Sequence, residues 1–483
     1  MKIKRNTAYH LGIVVFFLNI FVCKVSAQYP GALMMFQDNF YSQMMNPAYM
    51  RNDEATVLSV PGLAGLSLKN SGSVKIADIV SVSAQEKPEL DFERFYNNSR
   101  YNNIIGQNLF VPLVFISTPA KDGFFSFYYQ ERVQVFSRFS SAIPEFLNNG
   151  NISQGYDNFS SEKINSVGLG LRDFAFGYAQ KVNEKIDAGI RAKILFGGLY
   201  YSAKDWEYGI ITSENGDKVT LTSSGSGQMS FPGTVLLSNT QQVYYRSNLN
   251  AVSDYFSNFK NPGFVIDLGM TWNIGKSSMM SFAVRDLGGI WFRKNGFDLT
   301  LKNSYDFVGF DLQNAVRFLE GHGYVNPLTS VLSTKEKIRN VYRPFANSVK
   351  FVKPLAPQTV VHYQVKYSPK IEFGITNQTI FQKKLFYNAL TFTALQNTAN
   401  FSLFESINIH QVNSLSMGGG FQYTGEKIQV FFATDNIIAF YHPANNKTFS
   451  LTFGMCFLLN HKKNEGNTDG RFLPYLPFYR IID

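Results

Sequence analysis

The sequence predicts an all-β protein: a transmembrane antiparallel β-barrel with a short helical insert in one loop. Three observations carry that expectation. The chain opens with an export signal. Its apolar residues then recur at every second position, in runs long enough to cross a bilayer at a tilt. Aromatics make up 16% of the 483 residues, with 46 Phe and 26 Tyr, while mean hydropathy is only −0.11. A membrane barrel combines the last two because each strand turns one face to lipid and the other to a polar lumen.

The export signal comes first. Lys2, Lys4 and Arg5 precede an apolar run from Leu11 to Val22, broken only by Asn19, and Val25-Ser26-Ala27 offers small or short residues to a signal peptidase. Residues 1–27 therefore read as a secretory signal peptide, with cleavage expected between Ala27 and Gln28. The apolar run is shorter than the ~20 residues of a spanning helix. Cys23 follows Phe21-Val22, which is not a lipoprotein signature. Cleavage leaves 456 residues, a net charge of +6 and Cys456 as the lone cysteine. The charge is spread along the chain without a basic stripe, so nucleic acid is not an expected partner. An exported chain of this size without a disulfide must rely on a large core or on a membrane.

The strands follow from periodicity. Ile186, Ala188, Ile190, Ala192 and Ile194 alternate with Asp187, Gly189, Arg191 and Lys193. Phe264, Ile266, Leu268, Met270, Trp272 and Ile274 alternate with Val265, Asp267, Gly269, Thr271 and Asn273. A turn at 275–278 leads into Met280, Phe282 and Val284, alternating with Ser281, Ala283 and Arg285, which reads as a hairpin. Val361 to Tyr367, Ile371 to Ile375, Leu415 to Tyr423 and Phe449 to Leu459 repeat the pattern. A soluble β-sandwich also alternates, but its strands average about 5–6 residues, and several runs here reach the ~9–11 that a tilted spanning strand needs. Counting runs gives about a dozen to sixteen strands, and closure is expected because an open sheet edge in hydrocarbon leaves backbone donors unsatisfied.

Turns at 183–185 and 424–426 look periplasmic. The stretches 85–107, 139–162, 214–257 and 295–342 read as irregular and extracellular, or folded into the lumen. Within 310–340, Leu312, Val316 and Leu319, then Leu328, Val331 and Leu332, have helical spacing, so a short helix pair is expected there. Residues 28–60 form an N-terminal segment, 61–460 the barrel, and 461–483 a periplasmic tail containing Phe472-Leu473-Pro474-Tyr475.

Site chemistry is sparse. His322, His362, His410, His442 and His461 are not at metal-ligand spacing. There is no Gly-x-Ser-x-Gly elbow and no Walker loop. Gly418-Gly419-Gly420 lies in strand-patterned sequence, where small residues allow curvature or close packing. No catalytic, metal or cofactor residue is expected, and the chain does not read as an enzyme. The candidates are lumen-facing charges: Asp187, Arg191, Lys193, Asp267, Arg285, Lys366 and Glu372. They form either a satisfied salt-bridge network filling the barrel or a selectivity lining. Asn46-Pro47-Ala48 reads most simply as a turn into the first strand, with a gating role as the sharper alternative.

Phe40-Tyr41-Ser42-Gln43, followed by Asn46-Pro47-Ala48-Tyr49, resembles the N-terminal signature of the PorP/SprF family of Bacteroidetes outer-membrane proteins. Three further stretches resemble a sister family of Bacteroidetes outer-membrane proteins known only as a domain of unknown function. They are Val60-Pro61-Gly62-Leu63-Ala64-Gly65-Leu66-Ser67, Asn261-Pro262-Gly263-Phe264-Val265-Ile266-Asp267-Leu268-Gly269, and Arg285-Asp286-Leu287-Gly288 with Trp291. Ala433-Thr434-Asp435-Asn436-Ile437 fits the same pattern. The resemblance implies a barrel like the fatty-acid-transporter superfamily, with about fourteen strands and an N-terminal segment near the lumen.

Two functions are expected from it. One is an accessory or scaffold for protein secretion or surface display of the type IX kind, with outer-membrane lipid and other secretion or surface proteins as partners. The other is a channel or transporter for a hydrophobic or small solute. The chain is longer than PorP/SprF proteins, with large middle loops, which separates it from them.

Overall fold

The computed structural model describes residues 30–460, apart from 52–54, 83–87, 150–157, 214–217, 232–234, 238–242, 246–258, 276, 308–336, 339, 383–384 and 411–413. The signal peptide, the aromatic C-terminal tail and nearly all of the helix pair expected within 310–340 lie outside the described residues.

Fourteen antiparallel strands close into a barrel. In chain order they are β1 (Thr56–Ser59 and Leu66–Gly72), β2 (Asn102–Ala120), β3 (Gly123–Ser140), β4 (Ile164–Lys181), β5 (Ile186–Thr212), β6 (Pro262–Asn273) and β7 (Ser278–Phe292). Then come β8 (Gln358–Lys366), β9 (Ile371–Gln382), β10 (Leu385–Asn397), β11 (Phe401–His410), β12 (Ser414–Thr424), β13 (Ile428–Thr434) and β14 (Thr448–Leu459). Sequential strands pair with each other, and β1 closes the ring against β14 through Thr56↔Leu459 and Leu66↔Phe453. No open edge is left in the ring, as hydrocarbon demands.

The face assignment decides between membrane barrel and soluble sandwich. On β6, Phe264, Leu268, Met270 and Trp272 are 40–45% exposed, whereas Asp267 and Thr271 are 0% and 3% exposed. The apolar face therefore points outward. Phe125, Phe176, Ile190, Ile194, Phe282, Ile375, Phe392, Met417 and Phe453 continue this belt around the molecule. A continuous apolar girdle on the outside of a closed barrel is stable in a bilayer and not in water. The protein is an outer-membrane-type β-barrel.

The two ends differ. At one end all the turns are short, for instance Ala120 to Gly123 and Lys181 to Ile186. At the other end most connections are long and several strands overrun the belt. There β5 reaches 27 residues, and its outer half pairs with a strand at Val219–Ser230. That strand pairs in turn with Gly296–Phe307, which pairs with Phe345–Ser348.

The sequence reading of 214–257 and 295–342 as irregular is thus corrected. Val219–Ser230 is Ser-, Thr- and Gly-rich. Standing clear of lipid, it needs no apolar face and so carries no alternation to read. Short helices at Phe92–Asn98 and Ala142–Asn149 likewise occupy stretches read as loop, and β2 starts within one of them. The first barrel residues, from Thr56, precede the boundary at 61 read from the sequence.

The family-like motifs act as local ties. Val60 to Gly65 leave β1 as a small excursion, held where Met455 donates its backbone N–H to the Leu63 carbonyl. Asn261 accepts from the N–H groups of Arg293 and Lys294, joining the start of β6 to the end of β7. Asp435 pairs with buried Lys69 of β1, and its carbonyl accepts from Asn408 and Ser416.

Candidate functional site

Residues Pro30 to Ala48 are almost all buried inside the barrel. A 3₁₀ turn (Gly31–Met35) leads to the helix α1 (Phe40–Met45). Asn39 caps α1 by accepting the Tyr41 N–H at 2.9 Å, which satisfies one of the donors a helix start leaves free. Pro47 forbids continuation, and Asn46 closes the turn by accepting the Ala48 N–H at 2.9 Å.

Six residues cannot hold a helix alone, so packing must. Phe40 and Tyr41 nest against Phe115 of β2 and Phe431 of β13 at ring separations of 5.1–5.5 Å. Phe36 meets Phe404 at 5.8 Å. The wall is notched to receive the segment: a Cβ on Gly189 would overlap the Pro47 carbonyl, and one on Gly269 would overlap the Asn46 side chain.

Polar contacts fix the segment's register. Arg191 donates to the Met44 carbonyl at 2.9 Å and to the Gln43 carbonyl, placing a cation where the carbonyls of α1 lack partners. Thr376 donates to the Gly31 carbonyl at 3.0 Å, and Tyr49 to the Met34 carbonyl at 3.2 Å. Gln422 and Gln429 donate to Asp38. Most of these bonds read backbone atoms, so they hold a fold rather than particular side chains.

Beside this plug lies a buried ionic cluster. Arg132 Nη1 donates to Asp286 at 2.7 Å, and its Nε lies 3.1 Å from Asp173. Lys193 Nζ is 2.7 Å from Asp267 and 2.6 Å from Asp286. Arg191 is 3.4 Å from Asp267 and 5.1 Å from the Tyr128 ring centre. Gln130 and Gln358 donate to Asp173 and Asp286. Asp286 takes φ +61 in a bulge of β7 and donates its own backbone N–H to the Asp267 carboxylate at 2.8 Å. Buried charges are tolerated only when paired and hydrogen-bonded in this way.

The lumen is therefore layered. Towards the long loops one sector of the wall is apolar, with Leu171, Leu195, Val265, Ile290, Phe292 and Leu355, and the facing sector is polar, with Lys69, His410, Asp435 and Ser450 buried. The ionic cluster and the plug fill the middle. Towards the short turns a vestibule opens in two lobes of about 1010 and 600 Å³, which share Gln37, Met50, Gln364 and Lys366.

Of the charges read from the sequence, Arg191, Lys193 and Asp267 lie in the cluster, and Arg285 is buried at the bulge beside it. Asp187 and Lys366 line one vestibule lobe, and Lys366 and Glu372 the other. Arg132, Asp173 and Asp286 were not singled out from the sequence. His362 is bonded to Thr376 and Gln364, His410 to Ser416. Among the described residues no group of three or more His, Cys, Asp or Glu could hold a metal ion.

With the geometry in place, comparison with known proteins gives a family. A family model described as "Family of unknown function (DUF5723)" matches residues 47–435. The chain belongs to DUF5723. The matched span runs from the plug's terminal turn at Pro47 to Asp435 of the β13 tie, and it includes every member of the ionic cluster. No curated protein matches the sequence.

The DUF5723 chain is similar in outline to several solved barrels. The Ralstonia pickettii toluene transporter TbuX aligns at 10% identity and TM-score 0.36, covering 86% of this chain and 92% of its own. A Pseudomonas aeruginosa FadL homologue aligns at 9% and 0.38, covering 91% and 100%. The P. putida toluene transporter TodX aligns at 8% and 0.35, covering 90% and 94%.

Proposed function

We propose that this protein is an exported, integral outer-membrane channel for a small apolar or amphiphilic solute, gated by its own residues 30–51, and that it is not an enzyme. In this reading residues 1–27 direct export and the short turns face the periplasm. The carrying observation is the layered lumen. Apolar side chains line one sector of the interior on the long-loop side, where a water-filled pore would favour polar ones, and a polar vestibule lies on the other side of the plug.

The plug keeps the resting state shut. It buries Leu33, Met34, Phe36, Phe40, Tyr41 and Met44, and each such side chain is worth about 1.5–3 kcal/mol in burial. Opening is therefore a shift of the segment and not its loss to solvent. The type IX accessory role expected from the resemblance finds less support. The residues that carry it, Phe40 to Tyr49, are enclosed by the wall and present no surface to a partner.

Uptake into proteoliposomes tests the reading, with a monoaromatic hydrocarbon and a sugar of similar size as probes. Wild type should admit the hydrocarbon slowly and exclude the sugar. Gly269→Val, whose side chain would strike Asn46, should raise hydrocarbon flux severalfold. Equal flux in empty liposomes, wild type and variant would overturn the channel reading. A surface proteome that changes on gene deletion, with no flux in vitro, would favour the secretion role.

A further inference from the structure

Between the ionic cluster and the apolar sector of the wall lies a cavity of about 50 Å³. Phe136, Leu169, Leu355 and Ile380 line its sides, and Arg132, Asp286 and Gln358 line it where it meets the cluster. Two further lining residues, Tyr200 and Lys353, carry donors with no acceptor among the described residues. Tyr200 is fully buried, and its hydroxyl has no hydrogen-bond partner. Its ring packs against Phe292 at 5.1 Å and Phe351 at 5.6 Å, which keeps the hydroxyl from turning out to water. Lys353 is half-buried, with its ammonium 5.3 Å from the centre of the Tyr200 ring. No described carboxylate lies within 4.0 Å of it.

The charges around the cavity do not balance. Arg132, Arg191, Lys193 and Arg285 stand against Asp173, Asp267 and Asp286, and all seven are buried. The waist therefore holds one positive charge in excess, and Lys353 adds another at the cavity itself. An uncompensated charge away from water is costly, and so is a buried donor left without an acceptor. One negatively charged acceptor in the cavity relieves both.

We propose that this cavity binds one small monovalent anion, a halide or the carboxylate of a short acid. Size sets the upper limit. A water needs roughly 10–15 Å³ of such space, so the cavity takes a few waters or one anion of similar bulk. The body of a lipid does not fit. Charge sets the sign. A cation would meet Arg132 and Lys353, and a neutral apolar solute would leave both donors unanswered. Tyr200 and Lys353 supply the hydrogen bonds, and the apolar sides suit a short acid's methyl group. The anion is then a counter-ion of the waist, and the site stands whether or not a solute passes the plug.

The test uses the full barrel in detergent with sodium gluconate, whose body is too bulky for the cavity. Gluconate is then replaced by chloride or by acetate at constant ionic strength. The readout is the unfolding midpoint from heat-modified gel mobility. Wild type should gain several degrees with one or both, saturating as a single site does. Tyr200→Phe and Lys353→Gln should each lose most of the gain, while Lys218→Gln, on the distant long-loop hairpin, keeps it. A response to acetate alone would assign the site to carboxylates, and a response to both to small anions at large. Crystals soaked in bromide should show anomalous scattering within hydrogen-bonding distance of the Tyr200 hydroxyl. A wild-type midpoint indifferent to both anions, with no bromide in the cavity, would overturn the proposal even if the variants failed to fold. So would a gain that Tyr200→Phe and Lys353→Gln keep.

Discussion

At Asp286 one carboxylate serves Arg132, Lys193 and the Gln358 amide at 2.6–3.0 Å. Removing its charge would leave two cations sharing Asp173 and Asp267. Breaking a buried pair from one side typically costs about 3–5 kcal/mol. Asp286→Asn is therefore expected to lower the unfolding free energy of the barrel by that much, obtained from urea titration in detergent followed by heat-modified mobility. A loss under 1 kcal/mol would mean that water already screens the cluster. This residue also marks a limit of reading sequence by alternation. Arg191, Lys193 and Asp267 were legible because each falls on the polar parity of a regular strand. Asp286 falls on the lipid parity, and only the bulge at φ +61 turns it inward. Two-residue counting fails across a bulge. Arg132 and Asp173 were hidden by Glu131 and Arg172, charged residues of the opposite parity that pair with each other at 2.7 Å.

Among the elements, legibility followed solvent. Strands β6, β7 and β14 could be read residue by residue because lipid imposes an apolar partner at every second position. The outer half of β5 and its partner Val219–Ser230 stand clear of the belt and show no such regular pattern, whereas Gly296–Phe307 does alternate, with Phe297, Leu299 and Leu301 buried, in a stretch the sequence reading left as loop. Their tip is instead tied by side chains. Asp306 accepts from Lys218 and from Thr220 at 2.7 Å, which holds its carboxyl below the usual carboxylate range. A folded-state value lowered in this way stabilises the hairpin above the unfolded Asp value of about 3.9, and the effect is lost as pH falls through the folded value. Amide-exchange protection at 219–222 and 304–307 should therefore drop below about pH 4. Asp306→Asn should remove that acid step, and an unchanged step would assign it elsewhere. From its own residues the plug was legible only as a turn, and its place near the lumen was an expectation of the family resemblance alone. Its helix is too short to show a period, and its destination depends on the notches at Gly189 and Gly269, which are distant in sequence.

The whole molecule combines a lipid-facing exterior, a charged waist and a segment of its own chain lodged in the bore. Each layer places a demand on passage. The ionic cluster ties the wall together at the level of the plug, so in the proposed channel a solute would have to move the plug and not the strands. Cross-linking that plug is the most direct measurement. A Cβ on Gly31 would stand 3.0 Å from the Cβ of Thr391, close to disulfide range, and Cys456, the lone cysteine among the described residues, is buried away from reagents. Gly31→Cys with Thr391→Cys should form a bond that pins the plug to β10. In proteoliposomes the oxidised protein is expected to block hydrocarbon entry and the reduced protein to restore the wild-type rate. Equal entry in both states, with the disulfide confirmed by mass, would contradict a mobile plug and with it the proposed gate.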